Sequence, residues 1–120
     1  MLTDNLYWYR IKEFLYNHDG DTLKVVVDMG MRVCREVTLR AEGINSPELR
    51  GDTLEKARVS RDAAKEWFTK PGRKLVVKTY LDPGSYDRYT AEIFDAETEE
   101  CFNKFMVDSG FADTYVYKWG

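Results

Sequence analysis

The chain has 120 residues, 43% of them apolar and 14% aromatic, which is enough to bury one substantial core and too apolar for a disordered polypeptide. Its charged residues nearly balance, at a net charge of −3, so there is no overall basic field to draw it onto nucleic acid; an anionic substrate would have to be met by a local group of Arg and Lys. The opening MLTDNLYWYRIKEF lacks the basic patch and long apolar run of a secretory leader, and no apolar run of membrane length occurs, so a single soluble, intracellular domain with no membrane partner is expected. Cys34 and Cys101 lack the paired spacing of a zinc site; free thiols are the default reading and a single bridge the alternative.

Residues 7–17, YWYRIKEFLYN, are aromatic and β-rich. HDGDTLKV follows, and Asp19-Gly20-Asp21-Thr22 within it reads equally as a tight Asp-Gly turn between strands or as a pair of carboxylates placed to hold a metal ion. Residues 22–29 put Leu23, Val25 and Val27 on one face, and 33–43 repeat the alternation with Val33, Val37, Leu39 and Ala41. The period then changes. Asp52 reads as an N-cap with Glu55 as its capping-box partner, and Leu54, Ala57, Ala64 and Phe68 recur at helical spacing, predicting an amphipathic helix over 53–69 that stops at KPGRK. Strands are expected at 73–80 and 88–95, then a short helix from about 101 to 109 carrying Phe102, Phe105 and Met106 and closing at Gly110. Three strands, a helix, two strands and a short helix predict a mainly β, α+β domain: a five-stranded Greek-key barrel of the OB type.

Strand parity assigns directions to individual side chains. With Val37, Leu39 and Ala41 inside, Arg40 points outward; with Tyr89, Ala91 and Ile93 inside, so does Arg88. GINSPE, residues 43–48, follows Arg40 closely, and Pro47 breaks the strand so that Asn45, Ser46 and Glu48 gather at its end. A carboxylate turn, an outward Arg, an oxygen-rich turn ending in Glu and a second outward Arg are the parts that phosphodiester hydrolysis requires. A hard cation on oxygen ligands neutralises phosphate charge, a carboxylate orients or deprotonates water, and guanidinium forks bind the charge that builds on phosphorus oxygens.

These segments make the sequence resemble the staphylococcal nuclease family. The resemblance runs in order through DGDTLKV, VTLRAEGINSPE, YDRYTAEIFD, FNKFMVDSGFA and YVYK, and covers the chain from about residue 10 to 118. It implies an OB-type barrel that hydrolyses DNA and RNA endonucleolytically, with one calcium ion, leaving 3′-phosphate ends. It further implies that Asp21 is a direct calcium ligand, that Asp19 acts through water, and that Ser46 supplies its backbone carbonyl. Glu48 corresponds to the carboxylate assigned to the attacking water, Arg40 and Arg88 to the phosphate-clamping arginines, Tyr86 to a phosphate-contacting Tyr, and Tyr115 and Tyr117 to aromatics beside the base. Half-buried rim packing is the plainer reading of those tyrosines. His18 matches no family role and is read as a strand-end side chain.

The departures carry their own expectations. Asn45 stands where the family has an Asp ligand, keeping an oxygen donor but removing a charge, so calcium should bind more weakly than the family norm. Ser85 stands in place of a Lys, and Asp87 in place of a Gly, where it can compete for Arg88. The chain ends at Gly120, before the family's third helix: either that helix is dispensable or a homo-oligomer partner covers the surface it would protect, an alternative raised by aromatics near that end, Trp119 among them. The alternative to the nuclease is a weak or inactive relative that binds nucleic acid or a peptide without cutting it.

Overall fold

Residues 7–81 and 88–114 are described by the structure, a computed structural model, apart from the side chains of Leu81 and Arg88. The two central alternating segments form β2 (Thr22–Asp28) and β3 (Cys34–Ala41), antiparallel with Thr22 opposite Arg40 and Asp28 opposite Cys34. Leu23, Val25, Val27, Val37, Leu39 and Ala41 all enter the core, as the alternation predicts. Val33 does not: it lies before the ladder begins, in the hairpin loop, and is 52% exposed.

β1 (Trp8–Asn17) carries two register shifts, between Ile11 and Glu13 and between Phe14 and Tyr16. Each shift leaves one extra residue unpaired and increases the local bend and twist. A strand bent twice can serve two neighbours: its length pairs with β2, while Trp8–Arg10 pair with Lys78–Val76 of β5 (Leu75–Leu81). β5 is antiparallel to β6 (Arg88–Asp95), which returns parallel to β3 with Leu39 opposite Tyr89 and Ala41 opposite Ala91. The five strands therefore close in the order β1-β2-β3-β6-β5. With two helices the architecture is mixed and mainly β, consistent with an OB-like barrel. A two-residue ladder outside the barrel joins β4 (Ile44–Asn45) to β7 (Asp113–Thr114), a pairing that no sequence periodicity announces.

One barrel end is covered by α1 (Leu54–Thr69) and α2 (Phe102–Asp108). Phe68 lies parallel to Phe14 of β1 at 5.0 Å and packs on Phe102 at 4.5 Å, while Trp67 meets both Phe68 and Phe102 at 5.2 Å. Aromatic pairs at these separations contribute beyond the area they bury. Asn17, ending β1, donates to the Arg61 carbonyl and pins that strand to α1. The Asp52 capping box does not form. Gly51–Thr53 make a 3-10 turn first, Thr53 occupies the cap position, and its hydroxyl donates to the Glu48 and Arg50 carbonyls instead. Leu54 is only partly buried, and Ser60 and Trp67 join Ala57, Ala64 and Phe68 on the buried face.

The Arg73 guanidinium stacks over Trp67 at 4.0 Å and reaches Asp95 at 3.1 Å and Glu100 at 3.2 Å. Glu100 also accepts from the Trp67 indole N–H. Cys34 and Cys101 are both free thiols. Among the described residues, no helix is long and apolar enough to cross a membrane.

Candidate active site

The carboxylate turn joins β1 to β2. The His18 N–H donates to the Thr22 carbonyl at 2.9 Å, closing the turn, and one Asp19 carboxylate oxygen accepts from the N–H groups of Asp21 and Thr22 at 3.0 and 2.8 Å. Asp19 thus builds the turn with its own side chain, a common use of Asp where backbone donors need partners. Gly20 is required for space. A Cβ there would lie 2.0 Å from the Ser60 hydroxyl of α1 and 2.9 Å from the Ser46 Cβ. The turn is seated directly on the helix, and both carboxylates are carried by that seat.

Asp21 is buried. Its Oδ1 accepts from the Thr22 hydroxyl at 3.0 Å, and its Oδ2 accepts from the Ser46 N–H at 2.9 Å. Arg40 approaches the same Oδ2 at 3.7 Å and donates to the Asn45 side-chain oxygen at 3.4 Å. The hairpin and the GINSPE turn, 25 residues apart, are therefore joined through one carboxylate. Arg40 points out of the barrel as parity requires, but it is not the open arginine that parity alone suggests. Its side chain is 14% exposed, held against Asn45 and Asp21.

Burial pushes the Asp19 carboxyl up to about 6, helped by its hydrogen bond to Asp21 and by the Asp21 charge, against the downward pull of the two backbone N–H groups. A carboxyl raised by burial and by a neighbouring carboxylate sits where a cation would be welcome. Ser46 and Ser60, both buried, each present a hydroxyl with no partner among the described residues.

Tested against a hard cation, the donors fit in kind, since Asp21, Asp19, the Asn45 amide and the Ser46 backbone carbonyl are all oxygen ligands. They are sparse in charge. Among the described residues no group of three or more His, Cys, Asp or Glu side chains converges on one point. A cation held here would rest on one or two carboxylates and complete its shell with water and a phosphate oxygen.

Glu48 lies two residues beyond Ser46, but its carboxylate turns to Arg50, with Oε2 accepting from Nε at 2.7 Å in an exposed pair. The sequence pattern gives no sign of this partner, because the segment after Pro47 is irregular and no ladder fixes which way its side chains face. Arg88 opens β6 opposite Thr38, two residues before Thr90, the partner of Arg40. The two arginine positions are thus on neighbouring strands, offset by about 7 Å along them at about 3.3 Å per residue. Beyond this register the Arg88 side chain lies outside the described residues, as do Tyr86, Tyr115, Tyr117, Ser85, Asp87 and Trp119.

One positioning residue escapes the sequence reading. Asn103, on α2, donates to the Glu42 and Ala91 carbonyls at 2.8 and 2.9 Å and accepts from the Ile93 N–H at 3.1 Å. It fastens the turn after β3, hence the approach to Asn45 and Ser46, to β6. A lone polar residue on an otherwise apolar helix face is the signal that could have found it. His18, by contrast, is exposed, as a strand-end residue would be.

No protein-family model matches the chain, and a search of curated proteins found none that matches it.

Proposed function

We propose that the chain is a member of the staphylococcal nuclease family, a Greek-key OB domain, and that the site around Asp21 hydrolyses phosphodiester bonds of DNA and RNA with a divalent cation held by oxygen donors, calcium as the resemblance implies. The observation that carries this reading is the convergence of the Arg40 guanidinium, the Asp21 carboxylate and the Asn45 amide oxygen at one strand end, with Arg40 within 3.7 and 3.4 Å of the other two.

Asp21, the Asn45 amide oxygen and the Ser46 carbonyl would hold the ion, with Asp19 assisting through water. When bound, the ion supplies charge neutralisation at a non-bridging phosphate oxygen. Arg40 offers two parallel N–H donors to the phosphate, a fork that a Lys cannot reproduce. Arg88, on the adjacent strand, is the second guanidinium. Glu48 is the group that orients or deprotonates the attacking water, and it must first leave Arg50. That exposed pair is worth at most about 1 kcal/mol, so releasing it costs little next to a chemical barrier. Tyr86, Tyr115 and Tyr117 would stack on or contact the nucleotide.

The test is cleavage of single-stranded DNA and RNA with calcium, with and without chelator. Chelator-sensitive cleavage that Glu48→Ala abolishes supports the reading; no cleavage in any divalent metal refutes it.

The pairing of Glu48 with Arg50 and the uncharged Asn45 favour one second reading, a domain that holds nucleic acid or a peptide without cutting it. Oligonucleotide affinity that persists in chelator, without turnover, would select it.

A further inference from the structure

The barrel has two ends, and the site described above uses one. Along β3, Arg40 lies at the end near the carboxylate turn, and Arg35 lies five residues away, roughly 16 Å at strand spacing. α1 and α2 cover the end near Asn17 and Phe14. At the other end a cavity of about 660 Å³ opens into the barrel. Its deep wall includes Val37 and Leu39 from the barrel interior, and its sides include Tyr9, Tyr80 and Tyr89 from three different strands.

Arg35 supplies the polar selectivity. Its guanidinium carbon lies 5.8 Å from the Tyr89 ring centroid, and it joins no ion pair among the described residues. Aromatic walls alone would suit a cation, but Arg35 already places a positive charge over one of those rings, so a second cation would meet repulsion. A guest that gains from both features is flat and aromatic, to lie among the tyrosines over the aliphatic wall, and carries an anionic group to pair with Arg35. The volume falls within the range of cavities that enclose most of a small organic ligand.

We propose that this barrel mouth is a binding site for an aromatic anion, separate from the Asp21 site and independent of any hydrolysis there. Two sources share this chemistry: a mononucleotide, whose phosphate would meet Arg35, and an aromatic carboxylic acid.

The test uses the intact chain in excess chelator, with 1-anilinonaphthalene-8-sulfonate as the fluorescent aromatic anion. Saturable binding at one site per chain is expected. Arg35→Ala, a change on the exposed rim, should weaken it about tenfold. Val37→Phe, which fills the deep wall, should weaken it further, with circular dichroism and melting confirming that both variants fold. Arg61→Ala, in an exposed pair on α1 at the helix-covered end, should leave the affinity unchanged. Displacement by adenosine 5′-monophosphate assigns the site to nucleotides, and displacement by indole-3-acetate assigns it to aromatic acids. Binding that survives both Arg35→Ala and Val37→Phe, or displacement by neither competitor, overturns the proposal.

Discussion

Gly20→Ala should unseat the carboxylate turn, and its cost can be worked from the contacts. The added methyl would sit 2.0 Å from the Ser60 hydroxyl, 2.9 Å from the Ser46 Cβ and 3.1 Å from the Met106 methyl, all well inside van der Waals separation. Overpacking of this kind typically costs 1–3 kcal/mol, so we expect a loss of about 2 kcal/mol, or about 8 °C in melting temperature for a domain of this size. The Ser60 hydroxyl is buried without a partner. Ser60→Ala should therefore be neutral or stabilising by up to about 1 kcal/mol, because it removes an unsatisfied polar group and improves helix propensity. Since that hydroxyl is also the nearest obstacle to the new methyl, the double variant should recover about 1 kcal/mol of the Gly20→Ala cost, the remainder reflecting Ser46. Urea titrations of the four proteins close the cycle. A Gly20→Ala variant within about 0.5 kcal/mol of the parent, or strictly additive effects, would refute the seating of the turn on α1.

Asn103→Ala should cost about 2 kcal/mol in the same urea assay, since it takes the Asn103 partner from the Ile93 N–H and the Glu42 carbonyl, while the Ala91 carbonyl keeps the Glu42 N–H. The Arg73 cluster predicts acid sensitivity. Burial pushes the Asp95 carboxyl up, but the Glu97 N–H, the Arg73 guanidinium and the Thr98 N–H outweigh it and hold the group below its ordinary value. The Trp67 N–H and Arg73 together hold Glu100 down against burial. Both carboxylates bind protons less readily folded than unfolded, so their contribution is present above the ordinary carboxylate range and is lost as pH falls through it. Arg73→Ala should flatten that acid limb in thermal melts recorded between pH 7 and pH 3. Arg40→Lys keeps the charge but loses the fork; if Arg40 binds the reacting phosphate, cleavage should fall at least about 100-fold while melting moves by only a few degrees, both read on the same preparation.

β2 and the inner half of β3 were legible because a strand with one buried face must alternate, and Leu23 through Ala41 do so. β6 was legible for the same reason through Ala91 and Ile93, both fully buried, although Thr90 on the other face is buried as well. β1 was harder, since its two register shifts shift the parity partway along and leave Leu15 and Tyr16 facing solvent beside a core residue, Ile11. The start of α1 was misread because the chain spends Asp52 inside a 3-10 turn, and Thr53 ties that turn to the Glu48 carbonyl. At the site, the fold places Asp21, Asn45, Ser46 and Arg40 side by side, a convergence that follows from the closed barrel and not from any spacing along the chain. Parity did not foresee that Arg40 would be largely enclosed, nor that Glu48 would face Arg50, because both depend on how a short irregular segment folds back rather than on a repeating pattern. The partners of Asn103 were illegible for a related reason: one is 61 residues away, and only the closed barrel brings Glu42 to it.

The central claim is that Asp21, Asn45 and Arg40 form one site in which a cation and a phosphate are held together. Calorimetric titration of calcium, alone and with a nucleoside 3′,5′-bisphosphate present, tests it most directly. If the claim holds, each ligand tightens the other at least about fivefold, by equal factors as linkage requires, and Asp21→Asn abolishes the coupling. Calcium and bisphosphate that bind independently, or coupling that persists in Asp21→Asn, would contradict it.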